Sequence, residues 1–266
     1  MARAVEVVPG LAPELLQRIV ARIDDLEPAA GAVLVSGSYA RGRAERRSDL
    51  DLTVVVRGAP MSPRRAWFER RPGAAPLHVS IGAYSLESLH ARRAAPWEWA
   101  FGLPVLDEVR YVWATDDVRA TFGDPPSVVH PGERPDLEEL VEFLVKVQKF
   151  WARGDGVGVR LVAPGAGFLA PAFLRPLNDE VVVRDRREAL EAALAFRVAP
   201  EHYRDDLVVA LGVVEASDEA VVKATLRLGR ELLALLRERL PDIDPRPDLA
   251  RYLADGTLER YLGFLD

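Results

Sequence analysis

Residues 124–135, "DPPSVVHPGERP", separate two kinds of hydrophobic pattern. Before this stretch, with its four prolines, apolar residues fall in short runs; after it they recur at helical spacing over long segments. A chain that changes period in this way cannot form one kind of layer along its whole length. The pattern predicts two domains, 1–128 and 129–266, with the proline-rich stretch as linker. In the first half, "AVLVS" (32–36), the β-branched "LDLTVVV" (50–56), the alternating "LHVSIGAYS" (77–85) and "EVRYVWAT" (108–115) read as strands. Leu15, Ile19, Ile23 and Leu26 mark an amphipathic helix over 11–27, and "LESLHARR" reads as a second helix. In the second half, helical periods cover 136–154, 158–182, 186–197, 201–214 and 218–240, followed by a frayed tail from 247. The expected fold class is α+β, a short mixed sheet followed by a helical bundle.

Composition narrows the partners. The 266 residues are 49% apolar, enough for a sizeable core, and the net charge is −6. That balance gives no global attraction for nucleic acid or anionic membrane, and no basic track marks a nucleic-acid path. There is no apolar run of 18 residues and no basic, apolar and small-residue leader, so a cytoplasmic protein outside the membrane is expected. The absence of cysteine excludes disulfides and thiolate metal sites. Of the 35 basic residues only Lys146, Lys149 and Lys223 are lysines.

The densest chemistry lies in "VLVSGSYARGRAERRSDLDLTVVV", residues 33–56. Gly37 lets backbone N–H groups approach a ligand closely. Ser38 adds a hydroxyl able to cap a helix begun in "YARGRAE", and free N–H groups at a helix start attract phosphate. Asp49 and Asp51 fall on one face of the following strand, because strand side chains alternate. Two carboxylates on one face repel unless a cation lies between them, and oxygen-only ligation beside phosphate suits Mg²⁺. Either half alone reads as an ordinary turn or a polar strand start. Together, between two apolar strands, they read as a phosphate cradle beside a metal platform.

This arrangement resembles the DNA polymerase beta-like nucleotidyltransferase superfamily, whose motif is a strand, Gly-Ser, about ten residues, then Asp-x-Asp on the next strand. Here it reads Gly37-Ser38, Tyr39 to Ser48, then Asp49-Leu50-Asp51. The resemblance implies that Gly37, Ser38 and Arg41 bind the phosphates of ATP or another NTP, with Arg43 a further candidate. Asp49 and Asp51 would hold Mg²⁺ and act in catalysis, while Arg46 and Arg47 read as solvated. The superfamily usually supplies a third carboxylate from a later strand. In "LHVSI" Ser80 takes that place, a weak neutral ligand, with His78 on the same face. Glu69 is a further acid that could fold back into the site.

After the linker, "DLEELVEFLVKVQKFWARGD" carries an apolar stripe of Leu137, Leu140, Val141, Leu144, Val147 and Trp151. Glu142, Lys146, Lys149 and Arg153 lie on another face. On composition alone Glu142 and Lys146 are a solvated ion pair worth about 0.3–0.5 kcal/mol. "EELVEFLVK" also resembles the first C-terminal helix of the kanamycin nucleotidyltransferase family. That resemblance implies Glu142 as the catalytic base on a sugar hydroxyl and Lys146 as a phosphate contact. It extends loosely through 177–194, with Arg184 and Asp185 near a nucleotide-contacting stretch, and implies a homodimer. Trp97, Trp99 and Phe101 in "PWEWAFGLP" read as pocket, core or dimer residues. The Arg197-to-His202 spacing matches a helical ribonuclease motif by chance, and "WARGDGVG" reads as a helix end. The function expected is transfer of a nucleoside monophosphate from Mg-NTP to a small-molecule hydroxyl, such as that of an aminoglycoside-type antibiotic. The alternative is a catalytically weakened nucleotide-binding or partner-binding module of the same fold, for which Ser80 is the best support.

Overall fold

A computed structural model describes residues 5–124, 127–239 and 247–264. Helix α1 (Pro13–Leu26) opens with proline at its first turn, where a missing N–H costs nothing, and buries Leu15, Leu16, Ile19, Val20 and Ile23. Strand β1 (Ala30–Val35) is buried along its whole length, as befits an unbroken apolar run. The one-turn helix α2 (Gly37–Ala40), β2 (Leu50–Val56), β3 (Arg64–Glu69), β4 (Leu77–Ser85) and α3 (Leu86–Ala94) follow. Ser85 caps α3 by accepting from the Ser88 N–H. A 3₁₀ turn at Glu98–Ala100 leads to β5 (Val105–Asp107), β6 (Arg110–Ala114), α4 (Asp116–Phe122) and β7 (Val128–His130). The rest is helical: α5 (Leu137–Ala152), α6 (Gly156–Leu174), a 3₁₀ turn at Arg175–Leu177, α7 (Arg186–Leu194), α8 (Tyr203–Ala210), α9 (Asp218–Arg239), α10 (Pro247–Ala254) and α11 (Thr257–Tyr261).

The five-stranded sheet has the order β3-β4-β2-β1-β6, and β5 pairs with β7 in a separate two-stranded sheet. Strands β2 and β4 are parallel; the other pairs in the large sheet are antiparallel, so the sheet is mixed. One face packs against α1, joining Leu16, Ile19 and Ile23 to Val33, Leu50, Val54 and Val79. On the other face Leu34 and Val55 pack with Leu89 of α3 and Val118 of α4. Asp51, Thr53, His78 and Ser80 share that second face by strand alternation and stay half-buried.

The α+β class holds, and four details differ from the sequence reading. Strand β3 was not expected, because only Trp67 in "RRAWFE" is buried and the charged edge residues hide the pattern. The proline-rich linker contains β7. The helix expected from "YARGRAE" stops at Ala40, and the tail from 247 forms α10 and α11.

The chain forms two compact units: 1–95 with 106–130, and 96–105 with 131–266. Residues 96–105 therefore pack with the helices, so the division is discontinuous in sequence. The second unit's core gathers Phe101, Leu103, Leu140, Leu144, Phe173, Leu228 and Leu232. The segment Gly156–Leu177 is apolar and long enough to cross a membrane by length and composition, yet more than half of it is buried within the protein, as in a core helix.

Candidate active site

Strand β1 ends at Val35, and the Ser36 N–H donates to the Asp51 carbonyl at 3.1 Å, tying the Gly-Ser turn to β2. Gly37 has φ +67°, a left-handed conformation that costs an L side chain about 1–2 kcal/mol. A Cβ at Gly37 would lie 3.6 Å from Asp51 Oδ2, so the glycine backbone passes beside the carboxylate. The cap of α2 is Ser36, without a side-chain bond, and Ser38 is its second residue. Ser38 is therefore not the cap expected from sequence; its carbonyl accepts from the Arg43 N–H at 2.9 Å. Arg41 is the C-cap and is half-buried, while Arg43, Arg46 and Arg47 are exposed. The Arg110 guanidinium donates to the Ala40 carbonyl and satisfies this helix end.

Asp49 is exposed, one residue before β2, and Asp51 is half-buried inside it. In the parallel register Asp51 lies opposite Ser80, and the Ser80 hydroxyl donates to Asp51 Oδ1 at 2.6 Å. The two oxygens of Asp51 thus face opposite neighbours, Oδ1 the Ser80 hydroxyl on β4 and Oδ2 the Gly37 backbone. No cluster of three or more His, Cys, Asp or Glu side chains able to hold a metal occurs among the described residues. Asp51 and the Ser80 hydroxyl offer hard oxygens at this point, and Asp49 stands two residues before Asp51, on the same face by strand alternation. These oxygens fit a cation such as Mg²⁺ that keeps part of its ligation from water and phosphate.

Two neighbours are already engaged. Glu69 Oε1 accepts from the Trp67 indole N–H at 2.8 Å and stands 4.0 Å from Arg22, on the α1 side of the sheet. The His78 ring packs at 5.2 Å from the ring of Phe68, its direct partner on β3.

Within the second unit, Asp136 caps α5 by accepting from the Glu139 N–H at 3.2 Å. Glu142 and Lys146 form an i,i+4 ion pair at 3.1 Å on its surface, and Lys146 sits over the Phe143 ring. The apolar stripe is buried at Leu137, Leu140, Leu144 and Val147, but Trp151 is 44% exposed, outside the core expected for it. Asp185 caps α7, accepting from the N–H groups of Arg187 and Glu188, while Arg184 pairs with Glu188. Trp97 and Trp99 meet edge to face, and Phe101 stacks on Phe168 at 4.9 Å within that unit. His202 pairs with Glu231 at 2.8 Å, which accounts for it structurally.

Residues 16–79, which hold the Gly-Ser turn and both aspartates, match the family model described as "Nucleotidyltransferase domain". That stretch is similar to a nucleotidyltransferase domain. Residues 136–238 match a second model, "Nucleotidyltransferase, substrate binding domain". Together the two matches support the nucleotidyltransferase superfamily and a transferase activity in general terms. No curated protein matches the chain. Among solved structures, a nucleotidyltransferase-like protein from Exiguobacterium sibiricum 255-15 is similar at 13% identity and TM-score 0.39, over 93% of this chain and 89% of that one. That likeness is too remote to bear on function. A residue the sequence reading passed over is Phe68, whose strand lacked a recognisable pattern; it lies on the face that carries Asp51 and Ser80.

Proposed function

We propose that this protein is a nucleotidyltransferase that moves a nucleoside monophosphate from ATP or another NTP to a hydroxyl of a small molecule. The observation that carries the reading is the Asp51 carboxylate held between the Gly37 backbone and the Ser80 hydroxyl, beside a turn suited to phosphate. Gly37, Ser38 and Arg41 receive the triphosphate, and Asp49 and Asp51 hold Mg²⁺. A divalent cation bound there supplies charge neutralisation for the phosphates. The acceptor oxygen forms a bond to the α-phosphorus as the bond from that phosphorus to pyrophosphate breaks. The electron pair leaves with pyrophosphate, and the acceptor proton passes to a carboxylate base, the role that the kanamycin nucleotidyltransferase resemblance implies for Glu142. The same resemblance implies Lys146 as a phosphate contact. The match of residues 136–238 to a substrate-binding domain supports a small-molecule acceptor, a class that includes aminoglycoside-type antibiotics. The kanamycin nucleotidyltransferase resemblance adds a homodimer to the proposal.

The test is acceptor-dependent pyrophosphate release from Mg-ATP across a panel of small hydroxyl compounds, repeated with Asp51→Asn. Release by the wild type and its loss in the variant support the reading. The second reading, a nucleotide-binding module without turnover, is favoured by the Ser80–Asp51 hydrogen bond, since the residue opposite Asp51 on β4 is a neutral hydroxyl and not a carboxylate. Mg-ATP binding with no release for any acceptor would establish it instead.

A further inference from the structure

Strand register brings an aromatic pair to the same sheet face as Asp51. Phe68 on β3 lies directly opposite His78 on β4, and Ala66 lies opposite Ser80. Direct partners share a face, and His78 is two residues from Ser80, so Phe68, His78, Ser80 and Asp51 all project from one side. Phe68 is 70% exposed, although burying an apolar side chain of this size is favourable. Its ring meets His78 at 5.2 Å with a 43° tilt, which leaves a broad apolar surface toward solvent. The pair stands about 7 Å from Ser80 along β4, with Phe68 about 4.8 Å further across on the edge strand.

We infer that Phe68 and His78 form a platform for a flat aromatic ring carried by the acceptor. This rests on the nucleotidyl-transfer reading and deepens it. Phosphoryl transfer needs the attacking and leaving oxygens roughly in line through the phosphorus. The phosphate turn flanks Asp51 on the β1 side, since Asp51 Oδ2 faces Gly37, and Ser80 flanks it on the β4 side. With pyrophosphate leaving over Gly37 and Ser38, the attacking oxygen arrives from the β4 side. The next side chains there are His78 and Phe68, so the group bearing the acceptor hydroxyl lies over their rings. A ring with a π face gains offset or edge contacts on this pair that a saturated chain does not. The acceptor class is thereby narrowed from small hydroxyl compounds in general to aryl-bearing ones, away from fully saturated aminoglycosides.

The test is a binding titration with phenyl β-D-glucopyranoside and methyl β-D-glucopyranoside, in the presence of Mg²⁺ and a non-hydrolysable ATP analogue. Wild type should bind the phenyl compound about tenfold more tightly, the scale of one aromatic contact. Phe68→Ala should erase that preference, and Phe68→Leu, which keeps apolar bulk, should retain part of it. Thermal unfolding of both variants should match wild type, because the side chain is exposed. Equal affinity of wild type for the two glucosides, or a preference that survives in Phe68→Ala, would overturn the inference. So would a Phe68→Ala protein that loses affinity for Mg-ATP while keeping it for Mg-tripolyphosphate, since the platform would then hold the nucleobase. Failure of the underlying reading shows separately, as unchanged Mg-ATP affinity in Asp51→Asn.

Discussion

Ser80 and Asp51 are joined by a hydrogen bond of 2.6 Å, which decides how a change at Ser80 is felt. In Ser80→Asp two carboxylates would face each other across adjacent strands. Like charges so close destabilise the ionised pair unless a cation lies between them. The variant is therefore expected to melt below wild type in the presence of a chelator and to recover more than wild type does when Mg²⁺ is added. A melting temperature that responds to Mg²⁺ no more than wild type would mean that this edge of the site does not take the cation. The Gly-Ser turn and the Asp-x-Asp spacing were legible because strand alternation and a short loop leave few alternatives. The Ser80–Asp51 bond was not legible, because it depends on the parallel register of β2 with β4, which no local pattern encodes.

At the level of elements, the edge strand that presents Phe68 depends on a buried acid at the end of α1. Glu27 is the C-cap residue of that helix and is buried, and its carboxylate accepts from the backbone N–H groups of Met61 and Ser62 just before β3. Leaving a buried donor unpaired costs about 1–3 kcal/mol. Glu27→Ala should lower stability by about that amount in urea titration, and should loosen β3 enough to raise amide exchange at Trp67 and Phe68. Wild-type exchange there would show that β3 is held from elsewhere. Long apolar periods such as α5 and α9 could be read from the sequence, whereas β3 could not, since an edge strand with one buried residue carries almost no alternation. Strand β7 was hidden for a related reason: three residues among prolines look like linker until a partner strand is known.

For the whole molecule, the discontinuous second unit makes a prediction that a single boundary at 128 would not. Residues 96–105 contribute Ala100, Phe101, Leu103 and Val105 to the helical core. A fragment of residues 131–266 lacks all four and is expected to expose apolar surface and bind a hydrophobic dye. A fragment that joins 96–105 to 131–266 through a short linker should unfold cooperatively. Equal stability of the two fragments would contradict the assignment of 96–105 to the second unit. The proposed function puts the triphosphate on the Gly-Ser turn of the first unit and Mg²⁺ on Asp49 and Asp51. Its most direct test is calorimetric titration of ATP into wild type and Asp51→Asn, each with Mg²⁺ and with a chelator. The prediction is that wild type binds ATP in a Mg²⁺-dependent manner, and that Asp51→Asn loses this dependence while keeping its melting temperature. Mg²⁺-dependent binding of equal strength in the two proteins would contradict the claim.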